Sequence, residues 1–239
     1  MAIERRFVIF TAARTGSNAL VSSLAASSEI HCDYELFHPE QIYCTAGLTQ
    51  KTIQQRNRDP KAFLDDLILN ASRHKPSARV YGFKIFFTHN RKAREYLLND
   101  RSWAKVILQR ENVLDQFISH KIAAGSEMWD TTNVAVKSVS RIRFVPAQFD
   151  LFVERLERQS SETRAFLQQT QQPFFEIGYS DVEANRYEPL CHYLQVQPTD
   201  NMAPRIGKQN KRQTALKLVN PEVARAHLAT RGLGHLWVD

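Results

Sequence analysis

Hydrophobic residues in this chain form short, nearly continuous runs that are separated by stretches with a helical period. Four runs are rich in β-branched and aromatic residues, at positions 7–10, 80–87, 105–110 and 173–179. Runs of this kind are typical of strands covered on both faces. Apolar residues recur at helical spacing in five stretches between them, at positions 62–72, 91–98, 113–123, 148–169 and 183–194. Strands that alternate with helices predict an α/β fold, a parallel sheet with helices on both faces.

Two long segments lack a clear period, at positions 33–58 and 125–144. Long irregular segments in a compact domain are often lids or binding loops, so we expect substrate recognition there. The chain has 239 residues, of which 43% are hydrophobic, and it contains no internal repeat. We therefore predict a single domain over residues 1–239 with irregular lid segments. In such a sheet, ligands bind at the carboxyl ends of the strands.

The first strand leads into the small, polar segment "TAARTGSNAL", and a helical pattern begins within it. A strand, a tight loop and a helix in this order form an anion site, because backbone N–H groups and the helix dipole point to one spot. In comparison with the nucleotide loop G-x-x-x-x-G-K-[ST], only Gly16 remains, and Ser17 and Asn18 stand where lysine and a hydroxyl residue are expected. ATP with its metal is therefore a poor fit, and Arg14 supplies the positive charge.

A second candidate motif, "QRENVLDQFIS", follows the third predicted strand. Arg110 closes the strand, and Ser119 lies about two turns into the next helix. The two side chains could converge on one oxyanion, since arginine makes paired bonds to phosphate. The alternative is that Arg110 pairs with Glu111 or Asp115 and that Ser119 is a residue of the helix surface.

Together the two motifs resemble those of sulfotransferases that use 3′-phosphoadenosine 5′-phosphosulfate (PAPS). "TAARTGSNAL" is similar to their 5′-phosphosulfate loop, and "QRENVLDQFIS" is similar to their 3′-phosphate motif. With "DYELFHP", the chain looks most like the bacterial carbohydrate branch, the nodulation-factor and trehalose sulfotransferases. The resemblance implies an enzyme that transfers a sulfuryl group in line from PAPS to a hydroxyl of a carbohydrate or glycolipid. It also implies that PAP is the product and that no metal takes part.

The resemblance assigns the donor site to two groups of residues. Arg14, Thr15, Gly16, Ser17 and Asn18 would hold the 5′-phosphate, and Arg110 and Ser119 the 3′-phosphate. The segment "GKQNKRQTALKLVN" looks like the family's late basic segment, in which Lys208 and Gln209 would contact the nucleotide.

The resemblance also implies three catalytic residues. Arg14 would stabilise the charge that grows on the leaving nucleotide, and Glu35 would be the general base. From the residues alone, Asp33 and His38 are rivals of Glu35. Lys84 interrupts an apolar strand; it would hold the sulfuryl group or orient the carboxylate, and the alternative is a snorkelling or ion-paired lysine.

Charge and composition narrow the remaining possibilities. The formal net charge of +7 favours anionic partners, the three cysteines include no C-x-x-C pair, and the eight histidines have no metal-binding spacing. The N-terminal apolar run is too short for a signal peptide or a membrane span, so we expect a cytoplasmic protein, peripheral to a membrane if the acceptor is a lipid. Two rival functions stay open: a P-loop kinase or NTPase, and a non-catalytic module that binds nucleotides or nucleic acids. The sequence does not indicate the oligomeric state.

Overall fold

The computed structural model describes residues 3–45, 47, 49–126, 141–202 and 213–238. The strands in these ranges are β1 (Arg5–Thr11), β2 (Ile30–Glu35), β3 (Val80–Phe86), β4 (Trp103–Gln109) and β5 (Phe174–Gly178). The helices are α1 (Ser17–Ala26), α2 (Ile53–Arg58), α3 (Pro60–His74), α4 (Arg91–Asn99), α5 (Val113–Ser126), α6 (Pro146–Gln169), α7 (Tyr179–Glu183), α8 (Glu188–Leu194) and α9 (Pro221–Thr230).

The five strands form one sheet in the order β2-β3-β1-β4-β5, and every neighbouring pair is parallel. The connection that leaves β1 runs toward β2, whereas the one that leaves β4 runs the other way to β5. A change of direction of this kind opens a crevice at the carboxyl ends of the strands. The predicted α/β fold with a parallel sheet is confirmed.

The central strand β1 explains why its sequence is continuously apolar. Phe7 and Ile9 face one buried cluster, which includes apolar residues of α1 and α8. Val8 and Phe10 face the other cluster, which includes apolar residues of α3 and α4. Because helices cover both faces, each of these four positions buries its side chain and the strand needs no polar alternation.

Close packing in the middle of the sheet requires a glycine. Gly82 of β3 lies opposite Phe7 of β1, and a Cβ atom at Gly82 would lie 2.1 Å from the Phe7 ring. The ring occupies the space that any other side chain at position 82 would need, which accounts for a glycine inside a strand.

The chain divides into two compact units. The first consists of Met1–Gln109 and Ser160–Arg205 and contains the sheet. The second consists of Arg110–Gln159 and Ile206–Asp239, and its described residues pack α5, the start of α6 and α9 around a cluster that includes Phe117 and Phe149. The single domain over residues 1–239 stays a prediction.

Two expectations about secondary structure need correction. Residues 33–58 were expected to be irregular, but β2 continues to Glu35 and α2 covers the last six of them. A capping box, in which Thr52 and Gln55 bond each other's backbone N–H groups, begins α2. The single helix expected over residues 183–194 is two helices, since α7 ends at Glu183 and Pro189 lies in the first turn of α8.

The sequence patterns did not predict α9, a helix of ten residues that begins with a proline. Most of the second irregular segment, residues 127–140, lies outside the described residues. Among the helices of the described ranges, none combines the length and hydrophobicity that crossing a bilayer requires. The cytoplasmic location stays a prediction.

Candidate active site

Hydrogen bonds of two threonine hydroxyls stabilise the loop between β1 and α1. The hydroxyl of Thr11 donates to the carbonyl of Leu108 at 2.9 Å, and it lies 2.7 Å from the hydroxyl of Thr15. The Thr15 hydroxyl also lies 3.0 Å from the carbonyl of Ala12, to which it can donate. The predicted contact of Thr15 with a phosphate would therefore use its backbone N–H, because its buried side chain serves the loop itself.

Two residues of this loop have left-handed backbone conformations. Arg14 has a φ of 66° and Gly16 a φ of 79°. For an arginine this conformation costs about 1–2 kcal/mol, and such strain clusters at ligand sites. Gly16 caps α1, and a Cβ atom there would lie 2.5 Å from the Tyr179 ring at the start of α7. Glycine at position 16 thus allows both the turn and the close approach of Tyr179, a neighbour that the sequence did not indicate.

Lys84 connects the loop to the proposed base. Its side chain is 1% exposed, and its ammonium donates to the Ser17 hydroxyl at 3.2 Å and to the Asn18 side-chain carbonyl. The same nitrogen lies 2.9 Å from Oε1 of Glu35. Lys84 is therefore ion-paired, which is one of the alternatives that the sequence leaves open, and it contacts two residues of the predicted 5′-phosphate loop.

A β-bulge aims Glu35 at Lys84. Asp33 lies opposite Phe83, but Glu35 lies opposite Lys84, so β2 holds one extra residue, Tyr34, at this point. Without the bulge, the alternation of side chains would place Glu35 on the same face as Asp33. Bulges often redirect a side chain next to an active site. The redirected Glu35 side chain is 17% exposed, so solvent or a substrate reaches it.

The rival carboxylate, Asp33, is committed to holding the fold together. Its Oδ1 accepts from the backbone N–H of Thr45 at 2.8 Å and from the Thr45 hydroxyl at 3.0 Å. Its Oδ2 accepts from the hydroxyl of Tyr81 at 3.0 Å. Asp33 is buried, and these donors use both of its oxygens. The geometry favours Glu35 over Asp33 as a base.

The other rival, His38, is half-buried in the segment after β2. Its Nδ1 accepts from the backbone N–H of Glu40 at 3.2 Å. Its ring packs edge-on against Tyr43 and against a second histidine, His89, at centroid distances of 5.3 Å and 5.7 Å. These contacts fit a structural role for His38.

His89 belongs to the site, although sequence reasoning did not single it out. Its Nδ1 accepts from the backbone N–H of Phe86 at 3.3 Å, and its Nε2 lies 3.7 Å from Oε2 of Glu35. Burial, followed by the positive charges of its neighbours, lowers the pKa of His89 to about 3, so the ring is neutral near pH 7. A histidine in a turn after a strand carries no local signal, and only the fold brings it to Glu35.

The second motif lies in the other unit and is described there by itself. Arg110 Nη2 lies 3.4 Å from Oδ2 of Asp115, and Lys217 Nζ lies 3.3 Å from Oδ1 of the same carboxylate. The Arg110–Asp115 pair that the sequence offered as an alternative is therefore formed. Ser119 lies half-buried on α5. The role of Arg110 and Ser119 in binding a 3′-phosphate stays a prediction, and Lys208 and Gln209 lie outside the described residues.

Within the described ranges, no cluster of three histidine, cysteine or carboxylate side chains could hold a metal ion. The independence from metal ions stays a prediction.

Comparisons with known proteins give distant structural similarities only. No family model matches the chain, and the comparison with curated proteins found no match. The chain is similar to a sulfotransferase of Alicyclobacillus acidocaldarius, with 14% identity and a TM-score of 0.49 over 97% of this chain and 96% of that one. It is also similar to the sulfotransferase domain of the curacin biosynthetic pathway, with 14% identity and a TM-score of 0.47 over 98% and 90% of the two chains. The sulfotransferase domain of the Synechococcus PCC 7002 olefin synthase gives 13% identity and a TM-score of 0.47 over 98% and 95%. At this distance a function has to be argued from the chain's own residues.

Proposed function

We propose that this protein is an enzyme that transfers a sulfuryl group from PAPS to a hydroxyl of a carbohydrate or glycolipid, in line and without a metal. The observation that supports this most is the position of Lys84. Its ammonium lies 3.2 Å from the Ser17 hydroxyl in the predicted 5′-phosphate loop and 2.9 Å from the Glu35 carboxylate. Sulfuryl transfer needs an anion site beside a proton acceptor, and one buried cation joins the two here.

The donor's two phosphates are assigned to different motifs. The loop from Arg14 to Asn18, at the N-terminus of α1, is suited to the 5′-phosphate because the first N–H groups of a helix have no partner within the helix. By resemblance, Arg110 and Ser119 bind the 3′-phosphate, and Lys208 and Gln209 contact the nucleotide.

In the proposed step, the acceptor oxygen attacks the sulfur atom opposite the bridging oxygen of the donor. A new O–S bond forms, and the S–O bond to the 5′-phosphate breaks with its electron pair going to the phosphate oxygen, which releases PAP. The acceptor's proton passes to Glu35. Arg14 and Lys84 stabilise the negative charge that grows on the leaving oxygen.

The surroundings of Glu35 support a hydroxylated acceptor with a flat face. Tyr34 and Tyr43 expose their rings on either side of it in the chain, and the backbone N–H of Tyr43 donates to the Glu35 carbonyl at 3.3 Å. An exposed tyrosine offers an apolar face and a polar tip, a combination that suits a sugar ring.

The deciding experiment incubates the protein with PAPS and a panel of sugars and glycolipids, and it detects the sulfated product by mass spectrometry. Glu35→Gln should lower turnover by about two to four orders of magnitude, because general base catalysis contributes that much, and PAP binding should barely change. Glu40→Gln, an exposed carboxylate of the same segment, is the matched control and should keep parental turnover. Equal turnover in all three proteins would remove Glu35 from the mechanism.

Thermal stabilisation by ligands separates the rival functions. Selective stabilisation by PAP supports the sulfotransferase, and selective stabilisation by Mg–ATP would instead indicate a kinase or NTPase. Salt-sensitive binding of oligonucleotides alone would indicate a nucleic-acid-binding module.

A further inference from the structure

The two oxygens of the Glu35 carboxylate face different groups. Oε1 lies 2.9 Å from the ammonium of Lys84, whereas Oε2 faces Nε2 of His89 at 3.7 Å. The sequence analysis already considers a contact between Lys84 and this carboxylate. The histidine contact comes only from the fold, because His89 lies in the turn after β3 and Glu35 lies at the end of β2.

The tautomer of His89 is fixed by its other nitrogen. The backbone N–H of Phe86 donates to Nδ1 at 3.3 Å, so Nδ1 must carry a lone pair. A neutral imidazole then carries its proton on Nε2, the nitrogen that faces Glu35. The ring is nearly buried, and it packs on the Phe86 ring at 4.7 Å between centroids and against His38 at 5.7 Å. These contacts fix the direction in which Nε2–H points.

We propose that His89 is a positioning residue, which holds the Glu35 carboxylate through a neutral Nε2–H while Lys84 holds the other oxygen. This inference rests on the proposed function. With one donor on each oxygen, the carboxylate plane is fixed and a lone pair on each oxygen is left for the acceptor hydroxyl. The distance of 3.7 Å is longer than a hydrogen bond, and such catalytic contacts commonly tighten only when substrate is bound.

The charges around His89 keep it a donor. Four cationic or titratable groups act on the ring beside Glu35, namely His38, Lys84, Arg56 and Arg94. They oppose protonation together with burial, so His89 does not take the acceptor's proton. The proton stays on Glu35 and leaves from there to solvent. Protonation of His89 would also place a hydrogen on Nδ1 and break its bond with the Phe86 N–H.

Two substitutions separate this role from a merely structural one. His89→Gln keeps an N–H donor near the position of Nε2, whereas His89→Asn keeps an acceptor near the position of Nδ1 but its donor falls short of Glu35. If His89 positions Glu35, kcat of the asparagine variant should fall by about tenfold or more, the lower end expected for a bond to a charged group, with KM for PAPS unchanged. The glutamine variant should stay within about threefold of the parent.

The pH profile gives a further readout. In His89→Asn the acidic limb of kcat should move to higher pH, because the ionised carboxylate has lost a donor. His192→Gln, a change of an exposed histidine on α8, is the matched control and should leave both kcat and the profile unchanged. If His89 only caps the turn, the order of the two variants reverses, with asparagine the better residue, and that result would overturn the inference.

Nitrogen NMR of the ring tests the contact without any turnover. The His89 signals, assigned by their loss in His89→Gln, should report a neutral Nε2–H tautomer from pH 8 to pH 5, and the Nε2 shift should change in Glu35→Gln. An Nδ1–H tautomer, or an imidazolium at pH 6, would overturn the inference. If the parent protein is inactive with PAPS, the proposed function is overturned. If the parent is active but kcat of His89→Asn exceeds kcat of His89→Gln, only the role of His89 is overturned.

Discussion

The buried ion pair between Lys84 and Glu35 makes a prediction that does not depend on knowing the acceptor. Its nitrogen and oxygen lie 2.9 Å apart, with side chains that are 1% and 17% exposed. At an effective dielectric constant of about 20, two charges at this distance attract by roughly 6 kcal/mol before desolvation. Removing both ions from water costs several kcal/mol, which limits what the pair adds to stability. A mutant cycle cancels that cost, and for the coupling itself we expect about 2–4 kcal/mol, within the range measured for close charge pairs.

A double-mutant cycle with Lys84→Met and Glu35→Gln measures this coupling. Each single change leaves the other group without its main partner in a nearly buried position and should destabilise the protein by about 3 kcal/mol. The double variant should be more stable than the sum of the two losses predicts. The contacts of Lys84 with the loop do not affect the result, because the cycle cancels what each single change removes elsewhere.

The exposed pair Lys61–Asp65 provides the control cycle. Its nitrogen–oxygen distance is 2.7 Å, but its side chains are 64% and 47% exposed. A pair one helical turn apart on a surface contributes little, because solvent and salt screen the two charges. Lys61→Met and Asp65→Asn should therefore be nearly additive, although the distance is no longer than that of the buried pair.

Urea unfolding followed by circular dichroism gives the free energies for both cycles, provided that the slope m stays constant across each set of four proteins. Equal couplings in the two cycles would refute the reasoning, since burial would then make no difference. Strict additivity at Lys84 and Glu35 would show that the two charges do not interact in solution.

Four further outcomes are expected. Gly82→Ala should lower the free energy of unfolding by about 1–3 kcal/mol by overpacking against Phe7, with Phe7→Leu restoring part of the loss in calorimetry. Because the pKa of His89 is depressed from 6.5 to about 3, its contribution to stability is present above pH 6.5 and is lost as pH falls toward 3, by roughly 4 kcal/mol; His89→Gln should flatten that part of the stability profile. Asp33→Asn should destabilise the protein by about 1–3 kcal/mol, because the new amide NH₂ would face the N–H and hydroxyl donors of Thr45 or the hydroxyl donor of Tyr81. Any effect on turnover of the folded protein should be minor. Arg110→Ala should weaken PAP about ten- to a hundredfold and leave AMP unchanged in titrations; equal weakening of both would contradict the 3′-phosphate assignment.

The apolar runs were sufficient to predict four of the five strands in the described ranges, because helices cover both faces of the sheet and most positions of β1, β3 and β4 are buried. The edge strand β2 was missed for the opposite reason. Its sequence "IHCDYE" places His31 and Asp33 among buried positions, where Tyr81 and Thr45 provide hydrogen-bonding partners from distant parts of the chain. A buried polar strand has no periodic signal, since its polar groups are satisfied only by tertiary contacts.

The candidate site was predictable in its parts but not in its arrangement. The loop from Arg14 to Asn18 could be predicted because small polar residues between a strand and a helix have a known geometry. The contact of Glu35 with Lys84 depends on the bulge at Tyr34, which shifts the alternation by one residue. Neither the bulge nor the approach of His89 has a local sequence signal, because both arise from the pairing of β2 with β3 and the turn that follows β3.

In the proposed function, Lys84 also takes the place of the lysine that this loop lacks. In G-x-x-x-x-G-K-[ST] the lysine follows the second glycine, where this chain has Ser17, and Lys84 places its ammonium on the Ser17 hydroxyl from the neighbouring strand. The difference lies in its second partner. A lysine paired with Glu35 adds little net charge for a bound nucleotide while that carboxylate is ionised. In the proposed reaction Glu35 becomes neutral when it accepts the acceptor's proton, in the same step in which negative charge grows on the leaving oxygen. The full charge of Lys84 is then directed to that oxygen, so proton removal at one end of the lysine strengthens stabilisation at the other.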